Sequence, residues 1–194
     1  MTPDPQQHPH DGTHHKETDT VTESYVSAAM SKAVGTEIGR TVSYPVGEND
    51  IRRWAIATYW PDDPPARYLD APADGSPMIA PEEFNAMSSA WRPASSQRSA
   101  EAIERPDLTI NPDMTENQVG VEGPGLTKML NGGMSVEYGV PIRAGDVITS
   151  VRTLGEYAER EGRLGLMLFS TTVDTWTNQD GDLVKRSTMT LIRY

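Results

Sequence analysis

The stretch LGLMLFSTTVDTW at residues 164–176, followed by NQDG at 178–181 and LVKRSTMTLIRY at 183–194, decides the fold. Both long runs are rich in β-branched and aromatic residues, and Asn178-Gln179-Asp180-Gly181 supplies the hairpin between them. Working back, Val147, Thr149 and Val151 alternate within 146–154, and Met134, Val136, Tyr138 and Val140 alternate within 128–140. Two more strands therefore precede the hairpin, and residues 159–162 read as the turn before the last pair. The four strands are each about ten residues long and apolar on parts of both faces, which predicts a strongly curved antiparallel sheet wrapped around a helix.

Upstream the period changes from two to that of a helix. Tyr25, Val26, Ala29, Met30 and Ala33 recur at helical spacing behind Thr22 as a cap, until Gly35 and Gly39 stop the run. Residues 41–46 (TVSYPV) predict a strand, and 48–60 (ENDIRRWAIATYW) a helix with Ile51, Trp54, Ala55 and Thr58 on one face. Trp54 and Trp60 are both expected to pack. Residues 80–91 (APEEFNAMSSAW) return to helical spacing through Phe84, Met87 and Trp91, with Pro81 where a first turn accepts it, so the central buried helix is placed there. Helices first and then a meander of strands is an α+β order. Between these elements lie a proline-rich loop at 61–77 and an irregular segment at 92–127, too long for an ordinary connection and of the kind that shapes a site or contacts a subunit. Residues 1–20 lack apolar periodicity and read as a disordered tail, leaving 21–194 as one domain.

Composition narrows the chemistry. All four histidines, His8, His10, His14 and His15, lie in that tail, and there is no cysteine. The folded part therefore has no side chain that titrates near neutrality by default and no thiol nucleophile. No metal site is expected, since HPH and HH in a flexible segment are read as incidental. Any activity must use carboxylates, hydroxyls or backbone amides, or borrow a partner's residues. A formal net charge of -11 repels phosphate backbones and anionic headgroups, which argues against nucleic acid or a membrane surface as a partner. With no run of eighteen apolar residues and no basic-then-apolar leader, the chain reads as cytoplasmic.

Several residues stand out against this background. Asp62 and Asp63 share the proline-rich loop with Tyr68; Glu82 and Glu83 fall in the first turn of the expected central helix, where its dipole favours acids. Asn131 precedes Gly132-Gly133, a pair that a bulge or a close backbone approach explains. Arg143 stands three residues before Asp146, positioned either to pair with that turn-capping acid or to bind a phosphate.

In order along the chain these motifs resemble the hot-dog fold, and within it the amino-terminal, fatty-acid-synthase-like half of the MaoC-like dehydratases. GTEIG at 35–39 followed by a strand and NDIRRWA at 49–55 is similar to the family's opening strand and aromatic-alanine helix. MIAPEEF at 78–84 resembles its I-A-P-P-x-F entry, NGGM at 131–134 and YGVPIRAGD at 138–146 its H-G-G and P-v-r-x-G-D strands, and NQDGDLVK at 178–185 its final hairpin.

The resemblance implies hydration of an enoyl thioester, or the reverse dehydration of a 3-hydroxyacyl thioester. Acyl-CoA or an acyl-carrier thioester is the substrate, and no further cofactor is implied. Catalytic members use an Asp and a His from D-x-N-P-x-H. The corresponding WPDDPPARYLD at 60–70 keeps Asp62 and Asp63 but lacks the asparagine, and Arg67 or Tyr68 stands where the histidine belongs. Tyrosine holds its proton about 3.5 units above histidine, roughly 5 kcal/mol, so Tyr68 is a poor substitute at neutral pH. The expectation is therefore no catalytic residue in this chain, with Asn131, Gly132, Gly133 and Arg143 contacting substrate. A second MaoC-like hot-dog subunit would carry the Asp/His pair, the two packing side by side into one sheet. Two alternatives stay open: a hot-dog thioesterase using Glu82 or Glu83 as base, and an acyl-thioester-binding scaffold without chemistry.

Overall fold

β-branched density becomes strand wherever cross-strand neighbours can cover it, and the carboxyl-terminal half of the chain does this over four long strands. The computed structural model describes residues 23–90 and 111–194. Strand β1 runs Glu37–Val42, β2 Met129–Tyr138, β3 Thr149–Gly162, β4 Gly165–Thr177 and β5 Leu183–Arg193. They form one antiparallel sheet in the order β1-β3-β4-β5-β2. Helices α1 (Ala28–Ala33), α2 (Glu48–Tyr59) and α3 (Met114–Gln118) accompany it, with single 3-10 turns at Ala66–Tyr68 and Ala86–Ser89. The α+β class and the four long strands agree with the sequence reading, and β1 adds a fifth.

The hairpin joining β4 to β5 forms for a local reason. The Asn178 carboxamide accepts from the backbone N–H groups of Asp180 and Asp182, and Gly181 takes the positive φ of 86° that the loop needs. The preceding turn lies further along than expected. Glu159 to Gly162 are strand, pairing Glu159 with Leu168 and Gly162 with Gly165, so only Arg163-Leu164 makes the turn. Glu159 is held in register and used from outside: its carboxylate accepts from Ser24 Oγ and Tyr25 N–H. That capture keeps residues 23–27 out of the helix, and α1 begins only at Ala28 with Ser27 as its cap, not from Thr22.

Two further expectations are corrected. The strand placed at 41–46 occupies Glu37–Val42 instead. It pairs with β3 from Glu37↔Thr153 to Val42↔Thr149, and Pro45, which cannot donate a ladder hydrogen bond, stands beyond its end. The central helix expected at 80–91 is absent over its described part: Ala80 pairs by backbone with Ile142, Phe84 N–H closes a turn on Pro81, and only Ala86–Ser89 turns, as a 3-10 segment. Backbone pairing to 142–144 holds 78–80 extended, and the Phe84 N–H that a helix would give to Ala80 O goes to Pro81 O. Trp91, residues 1–22 with all four histidines, and 92–110 of the irregular segment lie outside the described residues.

The core gathers where β4 ends and β5 begins. Ile51 of α2, Met78, Phe84, Ile142, Ile148, Trp176 and Val184 are buried there. Fully burying each of the larger aliphatic side chains contributes about 1.5–3 kcal/mol. Trp54 packs edge-on against Phe84 at 5.7 Å, as expected, whereas Trp60 is 79% exposed because α2 stops at Tyr59. Helix α2 carries Glu48 and Asp50 in its first turn, and Arg52 ties it to the proline-rich loop by donating to Leu69 O at 2.7 Å.

At the other end of the sheet, α3 is anchored by charge. Arg193 of β5, 1% exposed, bonds Glu116 at 2.6 Å and Asp113 at 2.8 Å, and Glu116, fully buried, also accepts from Tyr157 OH. No described helix is long and apolar enough to cross a membrane.

Candidate functional site

Two cavities meet at the turn 80–82. The first, about 270 Å³, is walled by Phe84, Val140, Pro141, Ile142 and Val184, with Glu82, Tyr138 and Lys185 as its polar groups and Trp176 at its base. The second, about 520 Å³, lies against the proline-rich loop and is lined by Arg67, Tyr68, Asp70, Pro72 and Ile79. Ala80, Glu82 and Pro141 belong to both walls. Together they make a groove, largely apolar, with few convergent polar groups, as small-molecule sites usually are.

The groove's geometry follows from backbone pairing. Ala80 N–H donates to Ile142 O and Ala144 N–H to Met78 O, a two-bond ladder that holds the two rims together. Gly139 is required beside it: a Cβ there would stand 2.0 Å from Leu183 O. Tyr138 and Lys185 are directly paired across β2 and β5. Tyr138 OH donates to Glu83, and that bond, with some burial, pushes its pKa up to about 12. Lys185 Nζ lies 3.8 Å from the Trp176 ring centroid, and burial pushes its amine below the ordinary lysine value against the pull of Glu83 and Asp174. Trp176 Nε1 is buried without a hydrogen-bond partner.

Of the residues singled out in the sequence, some converge here and others do not. Glu82 lines both cavities, and Glu83 holds Tyr138. Neither owes its place to a helix dipole, because no helix forms at 81–84; the carboxylate-on-a-helix arrangement behind the thioesterase alternative is not present in the described residues. Tyr68 is buried on the loop side, its hydroxyl accepting from Arg67, whose guanidinium carbon lies 4.7 Å from the ring centroid. Asp62 and Asp63 are exposed where the loop leaves α2.

Asn131, Gly132 and Gly133 sit elsewhere, at a register shift in the β2–β5 ladder. Asn131 Oδ1 accepts from Gly133 N–H, Gly133 has φ 101°, and a Cβ on Gly132 would meet Thr190 Cγ2 at 2.7 Å. Tyr138 stands seven residue steps along the strand from Asn131, roughly 23 Å at about 3.3 Å each. Arg143 is exposed. Its backbone N–H donates to Asp146, which also accepts from Gln179, but its guanidinium makes no ion pair among the described residues.

Sequence reading missed Lys185, Trp176 and the Glu83–Tyr138 pair as parts of one site. Only cross-strand register brings them together, and the alternation within 183–186 does not show which face Lys185 takes. Among the described residues no group of His, Cys, Asp and Glu is placed to hold a metal ion. The described residues therefore offer the groove carboxylates, two phenols, an amine and a guanidinium, and no imidazole.

Comparison with known proteins follows this geometry. Residues 32–187 match the family model described as FAS1-like, dehydratase domain region. The ChsH1-ChsH2 complex from Mycobacterium tuberculosis contains a chain that superposes with TM-score 0.56 at 16% identity, covering 86% of the present chain and 88% of that one. A MaoC-like dehydratase superposes with TM-score 0.50 at 21% identity, covering 84% of the present chain but 43% of that protein. At these identities the likeness is one of fold, a single hot-dog sheet. No curated protein matches the sequence.

Proposed function

Because the chain belongs to the FAS1-like dehydratase-region family, as a MaoC-like hot-dog dehydratase domain, we propose that it is the acyl-pocket-shaping half of a two-subunit enoyl-thioester hydratase or 3-hydroxyacyl dehydratase. Hydration adds water oxygen to C3 and a proton to C2 of the enoyl thioester. It needs a base for the water, an acid for C2, and donors for the enolate oxygen that develops between. The observation that carries the reading is the state of the loop 61–70. Asp62 and Asp63 are exposed, and this loop gives the groove Arg67, Tyr68 and Asp70 but no histidine, so the Asp/His pair that the family keeps there is missing.

What remains suits binding. Apolar walls accept an acyl chain, while Tyr138, Glu83 and Lys185 set the polarity at one end. The catalytic Asp and His would come from a second hot-dog chain, and the sheet supplies a place for it. Among the described residues nothing pairs with the outer edge of β2, a ten-residue strand whose Met134 is 66% and Leu130 48% exposed. Side-by-side pairing there extends the sheet across two subunits. The ChsH1-ChsH2 complex, whose fold this chain shares, is an assembly of two named components and supports that arrangement. Acyl-CoA and a cytoplasmic setting fit the same reading.

The test is enoyl-CoA hydration by the purified chain alone and after co-expression with a single-hot-dog hydratase carrying an intact Asp/His motif. Activity is expected only in the co-purified pair, and robust turnover by this chain without a partner refutes the proposal.

A further inference from the structure

Of the three lysines among the described residues, Lys32 and Lys128 are exposed, and Lys185 alone lines a cavity. The chain has 28 acidic against 17 basic residues, yet no carboxylate lies within ion-pair distance of Lys185 among those described. Its nitrogen is instead laid on the face of Trp176. In the same wall the Trp176 indole N–H is a buried donor without an acceptor, and buried donors are ordinarily satisfied. The amine therefore stands without an ion-pair partner in a pocket of about 270 Å³, which has room for a short acyl group. Burial also holds the amine below the ordinary lysine value, which raises the share of nucleophilic free base.

We propose that Lys185 is a self-acylation site, which takes the acyl group of a short-chain acyl thioester bound in this cavity. The inference rests on the reading of the groove as an acyl-thioester pocket. Unprotonated Nζ attacks the thioester carbonyl carbon and the C=O pair moves onto oxygen. The tetrahedral adduct then re-forms the carbonyl, breaking the C–S bond. The amine proton passes to solvent, with Glu82 at the rim as first acceptor, and the sulfur leaves as thiolate and is protonated there. An amide and a free thiol are the products, and no redox partner is needed. Acylation deletes the cation that shares this cavity with Glu82 and fills the space, so it converts a binding wall into a blocked one.

The experiment incubates the full chain at neutral pH with crotonyl-CoA and measures site occupancy at Lys32, Lys128 and Lys185 by peptide mass spectrometry. Binding of the same thioester is followed separately by tryptophan fluorescence. Lys185 is expected to be acylated at least roughly tenfold faster than either exposed lysine, because the pocket holds amine and carbonyl together. Lys185→Arg is expected to remove that fast phase and leave the other two rates unchanged. Labelling of Lys185 no faster than of Lys32 and Lys128 overturns the proposal. If the thioester binds and Lys185 stays unlabelled, self-acylation falls while the pocket reading stands. If it neither binds nor labels, both fall.

Discussion

Replacing Glu116 by Gln tests how α3 is held to the sheet. Glu116 is fully buried and offers both carboxylate oxygens to Arg193, which is itself 1% exposed; the amide removes the charge and turns a donor toward the guanidinium. Arg193 then keeps Asp113 and Pro112 O, while its Nε already lacks a partner. Breaking a buried pair by removing one member costs about 3–5 kcal/mol, and the retained Asp113 contact places this change at the lower end, about 3 kcal/mol. For a chain of this length that lowers Tm by about 6–12 °C. With a urea m-value near 2 kcal/mol/M it lowers the midpoint by about 1.5 M. The assay is urea unfolding followed by far-UV circular dichroism. The double change Glu116→Leu with Arg193→Met removes both charges, and Asp113 retains the Gly125 N–H. It is expected to recover at least half of the loss, because paired apolar replacement of a buried ion pair is close to neutral. A single-variant loss under about 1 kcal/mol, or a double variant no better than Glu116→Gln, refutes the account of a desolvated pair whose partners depend on each other.

Tyr138 should stay protonated well above the ordinary tyrosine range: at pH 11 about a tenth of it is ionised, against about nine tenths for a free phenol, read as the tyrosinate absorbance difference between wild type and Tyr138→Phe. Its raised pKa means the native state holds the proton more tightly, so the Glu83–Tyr138 contribution to stability is complete below pH 10 and is lost as pH rises toward 12. Gly139→Ala sets a Cβ against Leu183 O and must part β2 from β5, so unfolding measurements should show a loss of about 2 kcal/mol or more. Met134→Lys, on an exposed position of β2, should change stability by less than about 0.5 kcal/mol yet prevent co-purification with a partner hot dog. Ser27→Ala removes the hydroxyl that accepts from Met30 N–H and should cost about 1 kcal/mol by the same unfolding assay.

Period-two alternation placed β2 and the first part of β3, β-rich runs placed β4 and β5, and Asn178 to Gly181 placed their hairpin, because each signal is local. Errors came where a distant partner captured a local hydrogen bond. Glu159 holds 24–25 out of α1, and with Ala80 tied to Ile142 the Phe84 N–H closes on Pro81 O, not on Ala80 O as a helix at 80–91 requires. The site was legible in part for the same reason. Glu82 and Glu83 were visible as acids beside an apolar run, and Tyr68 as the residue standing where a histidine belongs. Lys185 was not visible, since its meeting with Tyr138 and Trp176 is a matter of register across three strands. Arg193 was equally hidden: nothing in LIRY marks an arginine that a buried acid will claim.

The strand order carries a consequence for assembly in time. β3, β4 and β5 follow one another as hairpins and can zip locally, but β2 is laid on β5 by pairs roughly 50 to 60 residues apart, whose closure costs more chain entropy. The outer margin that a second subunit needs is thus completed after the β3–β4–β5 meander, while β1 reaches β3 across a still longer stretch of chain. Until β5 is in place there is no β2 edge to offer, so pairing reads out the docking of β2, and a partner added during refolding should be taken up no faster than β2 docks.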